Sequence, residues 1–296
     1  MDFNTNKGID LHIHSTASDG TFAPVELLHK AARTGLHAIA ITDHDTLEGS
    51  RQAFAADTPP GLNLLSGVEI SVQPPKPWAH IGGVHILGYG IDLDHAGLSQ
   101  ALDTLLQARN RRIPRILAKL RDNGIDISLD QVEAECGNAV PGRPHVAMAM
   151  IKNGTVADID EAFDRFLSKG KPGYVDKYRL ECKQAFDLIH DAGGLPVLAH
   201  PYLIPDCRQG KLADLLATFR AMGLMGVEAY YPQHPAEFTQ EVITLAQQLN
   251  LVVTGGTDFH GELTQGIELG CGRGDLHVPV TVYQTLLESL KKTFVS

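Results

Sequence analysis

Two histidines stand two residues apart at His12 and His14, and a carboxylate follows at Asp19. Farther along come Thr42-Asp43-His44-Asp45, then Glu69, His85, His200-Pro201 and Thr257-Asp258-Phe259-His260. The chain holds 14 histidines against a single Trp, so imidazole is the group to explain first. A metal site or a proton-transfer site is the chemistry such groups serve. One buried His is usually a hydrogen-bonded core residue. Several clusters of ionisable groups gathered in one apolar place are costly unless metal ions bind them. Mixed imidazole and carboxylate donors suit Zn, Mn or Fe rather than Mg or Ca alone. More than about six ligands exceed what one tetrahedral zinc uses, so two or three divalent ions are expected.

These groups need elements that bring them together. Residues 8–14, 38–42, 62–71 and 84–91 read as strands, with helices over 24–34 and 46–56 between the first three. Pro24 opens the first helix and Gly35 stops it. A later alternation follows, with helices at 182–192, 212–222, 236–249 and 282–292 and strands at 195–200, 226–231 and 251–254. Repeating βα units predict a parallel sheet or a barrel, and βα barrels collect their chemistry at the C-terminal strand ends. His12 and His14 lie inside their strand, share a face and should point into the barrel mouth.

From 96 to 170 the strand signal vanishes and helical spacing takes over. The expected organisation is a barrel of residues 1–99 and 171–296 with an all-helical insertion at 100–170. Pro114 is expected to kink or divide its first long helix. Too few strands and a thin core suggest a lid rather than a separate functional domain.

Composition narrows the function. With 296 residues, 43% hydrophobic and 20% charged, a packed core is expected and wholesale disorder is not. No window approaches the roughly 18 apolar residues of a membrane span. The first seven residues lack the basic start and apolar run of a signal peptide, so a cytoplasmic location is expected. A net charge of −10 argues against duplex DNA as a partner. The four cysteines form no CxxC pair and read as reduced thiols.

Asp10-Leu11-His12-Ile13-His14-Ser15, Ile41-Thr42-Asp43-His44, Gly67-Val68-Glu69, His85-Ile86-Leu87-Gly88-Tyr89, Ala199-His200-Pro201 and Gly256-Thr257-Asp258-Phe259-His260 resemble, in order, the motifs of the PHP (polymerase and histidinol phosphatase) family. The resemblance implies a distorted seven-stranded (β/α) barrel and a phosphoesterase site with two or three metals, Mn foremost and Zn or Fe as alternatives. Carried over, the ligands are His12, His14, Asp19, His44, Glu69, His200, Asp258 and His260, plus one of His80 and His85. Glu69 is expected to bridge metals. A metal-bridging hydroxide would attack phosphorus, with His200 or His260 protonating the leaving group.

Gly142-Arg143-Pro144-His145 and Lys169-Gly170-Lys171-Pro172-Gly173-Tyr174 resemble segments of the lidded subgroup, which includes phosphatases of nucleoside 3′,5′-bisphosphates, some also degrading short RNA. The expected activity is removal of the 3′-phosphate. Exonuclease action on short RNA from its 5′ end and histidinol phosphate hydrolysis are the alternatives. Metal-dependent amide hydrolysis fits less well, since no strand end carries Lys. A module that has lost its metals is disfavoured by intact ligands at every motif. The expected substrate contacts are Arg143, His145, Lys171, Tyr174, Arg179 and His234, with Arg143 as the main holder of a second phosphate. Arg109, Arg111, Arg112 and Arg115 read as a solvated helix face, with a nucleic-acid contact as the lesser reading. No protein partner is implied.

Overall fold

The computed structural model describes residues 8–136, 141–263 and 266–293. The first seven residues, read above for a signal peptide, lie outside them. The chain divides into two units, one of residues 1–102 and 179–296, the other of residues 103–178.

The elements run β1 (Ile9–Ile13), α1 (Pro24–Arg33), β2 (Ala38–Ile41), α2 (Glu48–Ala55), β3 (Asn63–Gln73), β4 (Val84–Tyr89) and α3 (Ala96–Asp122). The short helices α4 (Leu129–Glu133), α5 (Arg143–Lys152) and α6 (Ile159–Ala162) follow. Then come β5 (Leu180–Glu181), α7 (Cys182–Asp191), β6 (Leu195–Leu198), α8 (Leu212–Met222), β7 (Gly226–Tyr230), α9 (Ala236–Leu249), β8 (Val252–Gly255) and α10 (Val280–Thr293). Local chemistry explains the entries. At α1 the Ala23 N–H donates to the Glu26 carboxylate at 2.7 Å, Pro24 occupies the first turn, and Leu27, Leu28 and Ala31 turn inward.

The strands of the first unit form one sheet in the order β1-β2-β3-β4-β6-β7-β8, with β5 paired to β3. Its two ends meet. The His14 N–H donates to the Phe259 carbonyl and the Asp258 N–H to the His12 carbonyl, both at 2.9 Å. The sheet thus curls into a distorted barrel of seven main strands, as the motifs implied.

One strand departs from the expected parallel pattern. β4 runs antiparallel to both β3 and β6. The link from β3 to β4 is short and holds a 3₁₀ turn at Lys76–Ile81, whereas a parallel crossover needs a dozen residues or more. The reversal brings His85, second residue of β4, opposite Ser71 near the C-terminal end of β3. His85 therefore reaches the mouth from the start of its strand.

A second irregularity aims the first two histidines. Ile9 and Leu11 pack in the barrel core with Ala38, Ala40, Leu87 and Val197. Ile13 instead packs outside with Leu27, Leu28, Ile39 and Ile41. Strict alternation would put Ile13 inside and His12 and His14 outside. The register between β1 and β2 slips between Asp10 and Ile13, so one extra residue exchanges the faces.

In the helical unit α3 continues through Pro114 rather than breaking there. Pro114 and Asn110 are both exposed, so water can serve the carbonyl that the proline leaves without a donor. Nor is the core thin. Ile116, Leu120, Val132, Val146, Met150 and Leu167 are fully buried in a cluster of its own.

The barrel seam depends on a missing side chain. A Cβ at Gly256 would lie 2.4 Å from the His12 nitrogen and 2.5 Å from its Cβ. Gly256→Ala should therefore cost about 1–3 kcal/mol through overpacking of the seam. Denaturant unfolding checks this; an unchanged midpoint would refute the close approach.

Candidate metal centre

The Glu69 carboxylate lies fully buried amid five imidazoles. Its Oε2 is 2.9 Å from His44 Nδ1, 3.3 Å from His14 Nε2 and 3.5 Å from His12 Nε2. Its Oε1 is 3.0 Å from both His85 Nδ1 and His200 Nε2. Asp258 Oδ1 lies 3.4 Å from His12 Nε2 and 3.1 Å from His14 Nε2. Asp19 reaches His14 Nδ1 at 3.6 Å, His44 Nε2 at 3.8 Å and His260 Nε2 at 3.5 Å.

The donors fall into overlapping groups. His14, Asp19, His44 and His260 make one, His12, His14, Glu69 and Asp258 a second, and His44, Glu69 and His85 a third. His200 joins the third, since its Nε2 is 3.3 Å from His85 Nδ1. Five buried donor atoms here make no hydrogen bond: His12 Nε2, His14 Nε2, His44 Nδ1, Glu69 Oε2 and Asp258 Oδ1. Each such atom would cost about 1–3 kcal/mol if nothing bound it. Buried imidazole and carboxylate donor atoms that converge without hydrogen bonds are what divalent ions require, so these residues fit the metals.

A second layer fixes the rings. Glu228, fully buried, accepts from His12 Nδ1 at 3.0 Å and from the His200 backbone N–H at 2.7 Å. The bond leaves His12 Nε2 free to face the cluster. His260 Nδ1 donates to the Asp258 carbonyl at 2.8 Å, which orients its Nε2 toward Asp19. Asp43 accepts from the Ser15 N–H and hydroxyl and from the Ser18 hydroxyl, shaping the loop before Asp19. Asp10 accepts from the N–H and hydroxyl of Thr257 and from the Gly270 N–H, tying the β8 end to β1. Asp45, His200 and Asp258 adopt left-handed backbone angles with φ of 56°, 28° and 54°. Such conformations are costly for non-glycine residues and persist where the surroundings impose them.

Charge is balanced within the cluster. Burial disfavours ionisation of Glu69, yet the imidazoles of His44, His85 and His12 outweigh it and hold the carboxyl well below its usual range. Burial likewise opposes ionisation of Asp258, and His12 and His14 overcome it. Burial disfavours a charged His14, but Asp258 and Glu69 raise its pKa to about 10. His12 is raised well above its usual value against burial, chiefly by Glu228, Asp258 and Glu69. For His85 burial prevails and lowers the value to about 4. Burial pushes Asp10 up to about 6.

The sequence-derived residues divide sharply. His12, His14, Asp19, His44, Glu69, His85, His200, Asp258 and His260 come together. His80 does not: its Nε2 lies 3.0 Å from Asp206 in an exposed turn, and its ring stacks on Trp78. The rings of His200 and His260, expected as proton donors, turn Nε2 toward the carboxylates of Glu69 and Asp19. His234, expected at the substrate, has both nitrogens engaged, Nδ1 with the Ala229 carbonyl at 2.8 Å and Nε2 with the Tyr202 N–H at 3.5 Å. Arg179 belongs to the barrel unit and lies half-buried against Gly83, where a Cβ would meet its Nε at 2.1 Å.

Arg143, His145, Lys171 and Tyr174 belong to the helical unit. Within it His145 Nδ1 accepts the Gly142 N–H at 2.9 Å, so that nitrogen serves as a helix cap. The Tyr174 hydroxyl donates to Asp176 at 2.9 Å, and Lys171 is exposed. Sequence reasoning missed Glu228, Asp10 and Asp43 as ring- and loop-holders. The available signal was a carboxylate between apolar neighbours in a strand, as in Val227-Glu228-Ala229.

A cavity of about 260 Å³ adjoins the cluster, lined among others by Asp19, Tyr231, Gln233, Thr257, Asp258 and His260. The Tyr231 hydroxyl donates to Asp258 Oδ2 at 3.1 Å, and burial with the nearby carboxylates raises its pKa far enough to keep the proton in place.

Known proteins of similar sequence and fold are phosphoester hydrolases by name. The family model of the PHP domain matches residues 10–118. Over 255 residues the chain is 34% identical to a 5′-3′ exoribonuclease of Haemophilus influenzae, covering 86% of this chain and 90% of that one. Over 263 residues it is 33% identical to a 3′,5′-nucleoside bisphosphate phosphatase of Chromobacterium violaceum, covering 88% and 90%. A solved structure from Bifidobacterium adolescentis, described as a metal-dependent phosphoesterase, aligns with a TM-score of 0.74 at 30% identity, covering 95% and 96%.

Two outcomes follow from the ligand set. In metal-stripped protein the raised pKa values of His12 and His14 should keep protons on them at neutral pH. His200, raised against burial chiefly by Glu69, adds to them, so loading at pH 7.5 should release protons. Titration calorimetry in buffers of different ionisation enthalpy measures this, and loading without proton release would contradict the raised values. The stabilisation from His14 in stripped protein should be complete below about pH 6.5 and lost as pH rises through about 10. Separately, Glu228→Ala should weaken metal affinity roughly 10–100-fold by freeing the His12 ring. Equal metal content after dialysis against a graded chelator would show that Glu228 does not orient it.

Proposed function

The chain belongs to the PHP family of metal-dependent phosphoesterases, and on that premise we propose that it removes the 3′-phosphate of nucleoside 3′,5′-bisphosphates to give the 5′-nucleotide. The carrying observation is the set of five buried donor atoms, of Glu69 and its neighbours, that make no hydrogen bond. The relative of Chromobacterium violaceum named for that reaction supports the choice of substrate. Manganese is the ion we assign, on the mixture of imidazole and carboxylate donors.

His12, His14, Asp19, His44, Glu69, His85, His200, Asp258 and His260 would hold the metals. When bound, such ions supply a water-derived nucleophile at neutral pH and offset charge on the phosphoryl oxygens. The chain does the rest. Glu69, common to two of the three donor groups, would help hold the ions of both. Glu228 and the Asp258 carbonyl lock the tautomers of His12 and His260. Tyr231 holds its proton at Oη on the cavity wall and can donate it to a phosphoryl oxygen. The phosphate that stays on the nucleotide needs a cation other than the metals, and Arg179 is the one we assign in the barrel unit. A second reading, hydrolysis of short RNA from its 5′ end, is favoured by the relative of Haemophilus influenzae. The bond broken is again a phosphoester.

Phosphate release with Mn, measured over nucleoside bisphosphates, monophosphates, short RNA and histidinol phosphate, ranks these substrates. A bisphosphate should give the highest kcat/KM, and a clear preference for RNA or histidinol phosphate would replace this assignment. Asp258→Ala should abolish release from every substrate while leaving the barrel folded, and near-normal turnover would sink the metal-centred reading. Arg179→Ala should lower kcat/KM for the bisphosphate by roughly 2 kcal/mol, about thirtyfold, and barely affect p-nitrophenyl phosphate. Equal losses on both would mean Arg179 serves the cleaved phosphate or the fold.

A further inference from the structure

The helical unit spans 76 residues and holds 12 of the 25 basic residues of the chain. Six of them crowd around two neighbouring cavities. The first, of about 280 Å³, is lined by Arg111, Arg112, Arg115, Asp176 and Tyr178 among others. The second, of about 250 Å³, is lined by Arg109, Arg112, Arg143, Lys177 and Tyr178 among others. Arg112 and Tyr178 belong to both walls. Asp176 is the acid among these lining residues, and its Oδ1 is engaged by the Tyr174 hydroxyl.

Placing Arg111 and Arg115 four residues apart, and Arg109 and Arg112 three apart, sets like charges side by side on α3, which is unfavourable in isolation. The arrangement is nonetheless held in place. Arg112 Nε donates to the Val175 carbonyl at 3.0 Å. Arg143 Nη1 donates to the Leu167 carbonyl at 3.3 Å, with its guanidinium over the rings of Phe163 and Tyr174. Arginines fixed in this way are prepared for phosphate oxygens, which they grip as a planar fork. Tyr178 leaves 52% of its surface exposed between the two cavities, a flat apolar face beside cations.

We propose that this face of the helical unit binds a single-stranded oligonucleotide, with successive backbone phosphates in the two cavities and a base stacked on Tyr178. Cations that track a backbone together with an aromatic platform are the means of sequence-tolerant single-strand binding. Two adjoining cationic cavities exceed what one mononucleotide phosphate needs. Because the arginines address phosphates rather than sugars, DNA and RNA strands should bind alike. The net charge of −10 does not oppose this, since it is carried by the barrel unit: the helical unit has 11 of the 35 acidic residues, against its 12 basic ones.

The test is fluorescence anisotropy of a single-stranded DNA of about 12 nucleotides, titrated with the full metal-loaded chain at several salt concentrations. Affinity should fall with salt. Arg111→Glu/Arg115→Glu should bind at least tenfold more weakly, with a salt slope shallower by about 1.4, which is about 0.7 for each phosphate contact removed. Tyr178→Ala should weaken binding severalfold at an unchanged slope, and its exposed position guards against a folding artefact. Melting temperatures of both variants verify the fold. Equal affinity of wild type and both folded variants would overturn the proposal. So would full displacement of the oligonucleotide by an equal concentration of a nucleoside monophosphate, which would mark a mononucleotide seat. The readout needs no turnover, so failure here leaves the phosphatase assignment standing.

Discussion

Burying one carboxylate, Glu69, among five imidazoles sets the terms for the rest of this molecule. An isolated carboxylate in a dry interior would take up a proton instead of paying the cost of its charge. Here the surrounding rings keep it ionised. Those rings come from β1, from the β2 end, from β4 and from the β6 end, so the cluster exists only when the barrel is closed. The seam bonds between His14 and Phe259 and between Asp258 and His12 are accordingly both closure and site construction. The closed barrel and the donor set are built from the same contacts.

Two departures from regular βα geometry make this convergence feasible. The extra residue in β1 turns His12 and His14 inward and lets Ile13 join the outer core beneath α1. The reversed β4 delivers His85 from the opposite chain direction. Neither is a defect to be tolerated. A β-bulge is a means of re-aiming side chains, and without it the two histidines would face α1. Strain appears in the same places, at Asp45, His200 and Asp258, each next to a strand end that presents a ligand.

Much of this was legible in the sequence because donors are chemically conspicuous. His12, His14, Asp19, His44, Glu69, His200, Asp258 and His260 announce themselves as ionisable groups at the ends of apolar runs. The helical stretch stood out by losing its two-residue alternation. What could not be read was direction and support. The reversal of β4 lies in a short connection, not in the strand itself, and that left His80 and His85 as equals. His80 then proved to be an exposed partner of Asp206. Glu228 was hidden because it looks like one polar residue in a strand, and only the fold sets it against His12. Pro114 was expected to kink or divide α3, which runs undivided through it, because a proline on a solvated face leaves the Asn110 carbonyl to water. The helical unit seemed thinly packed because its core is assembled from several short helices, each contributing few apolar residues.

The charge distribution supplies the remaining constraint. Outside the helical unit the chain has 13 basic residues against 24 acidic ones. A barrel so acidic repels phosphate esters at long range, and its mouth gathers Asp19, Glu69 and Asp258 besides. Divalent ions reverse the sign of the potential where it matters, because they are the largest local charges in such a site. Ions held there would therefore favour the approach of a phosphate ester as well as supply the nucleophile, and on that reading metal occupancy would govern binding as well as turnover. The carboxylates are thus not in conflict with a polyanionic substrate. They would hold the positive charge that such a substrate meets, and their burial, by excluding water from the donor atoms, would keep that charge concentrated at one point of the barrel mouth.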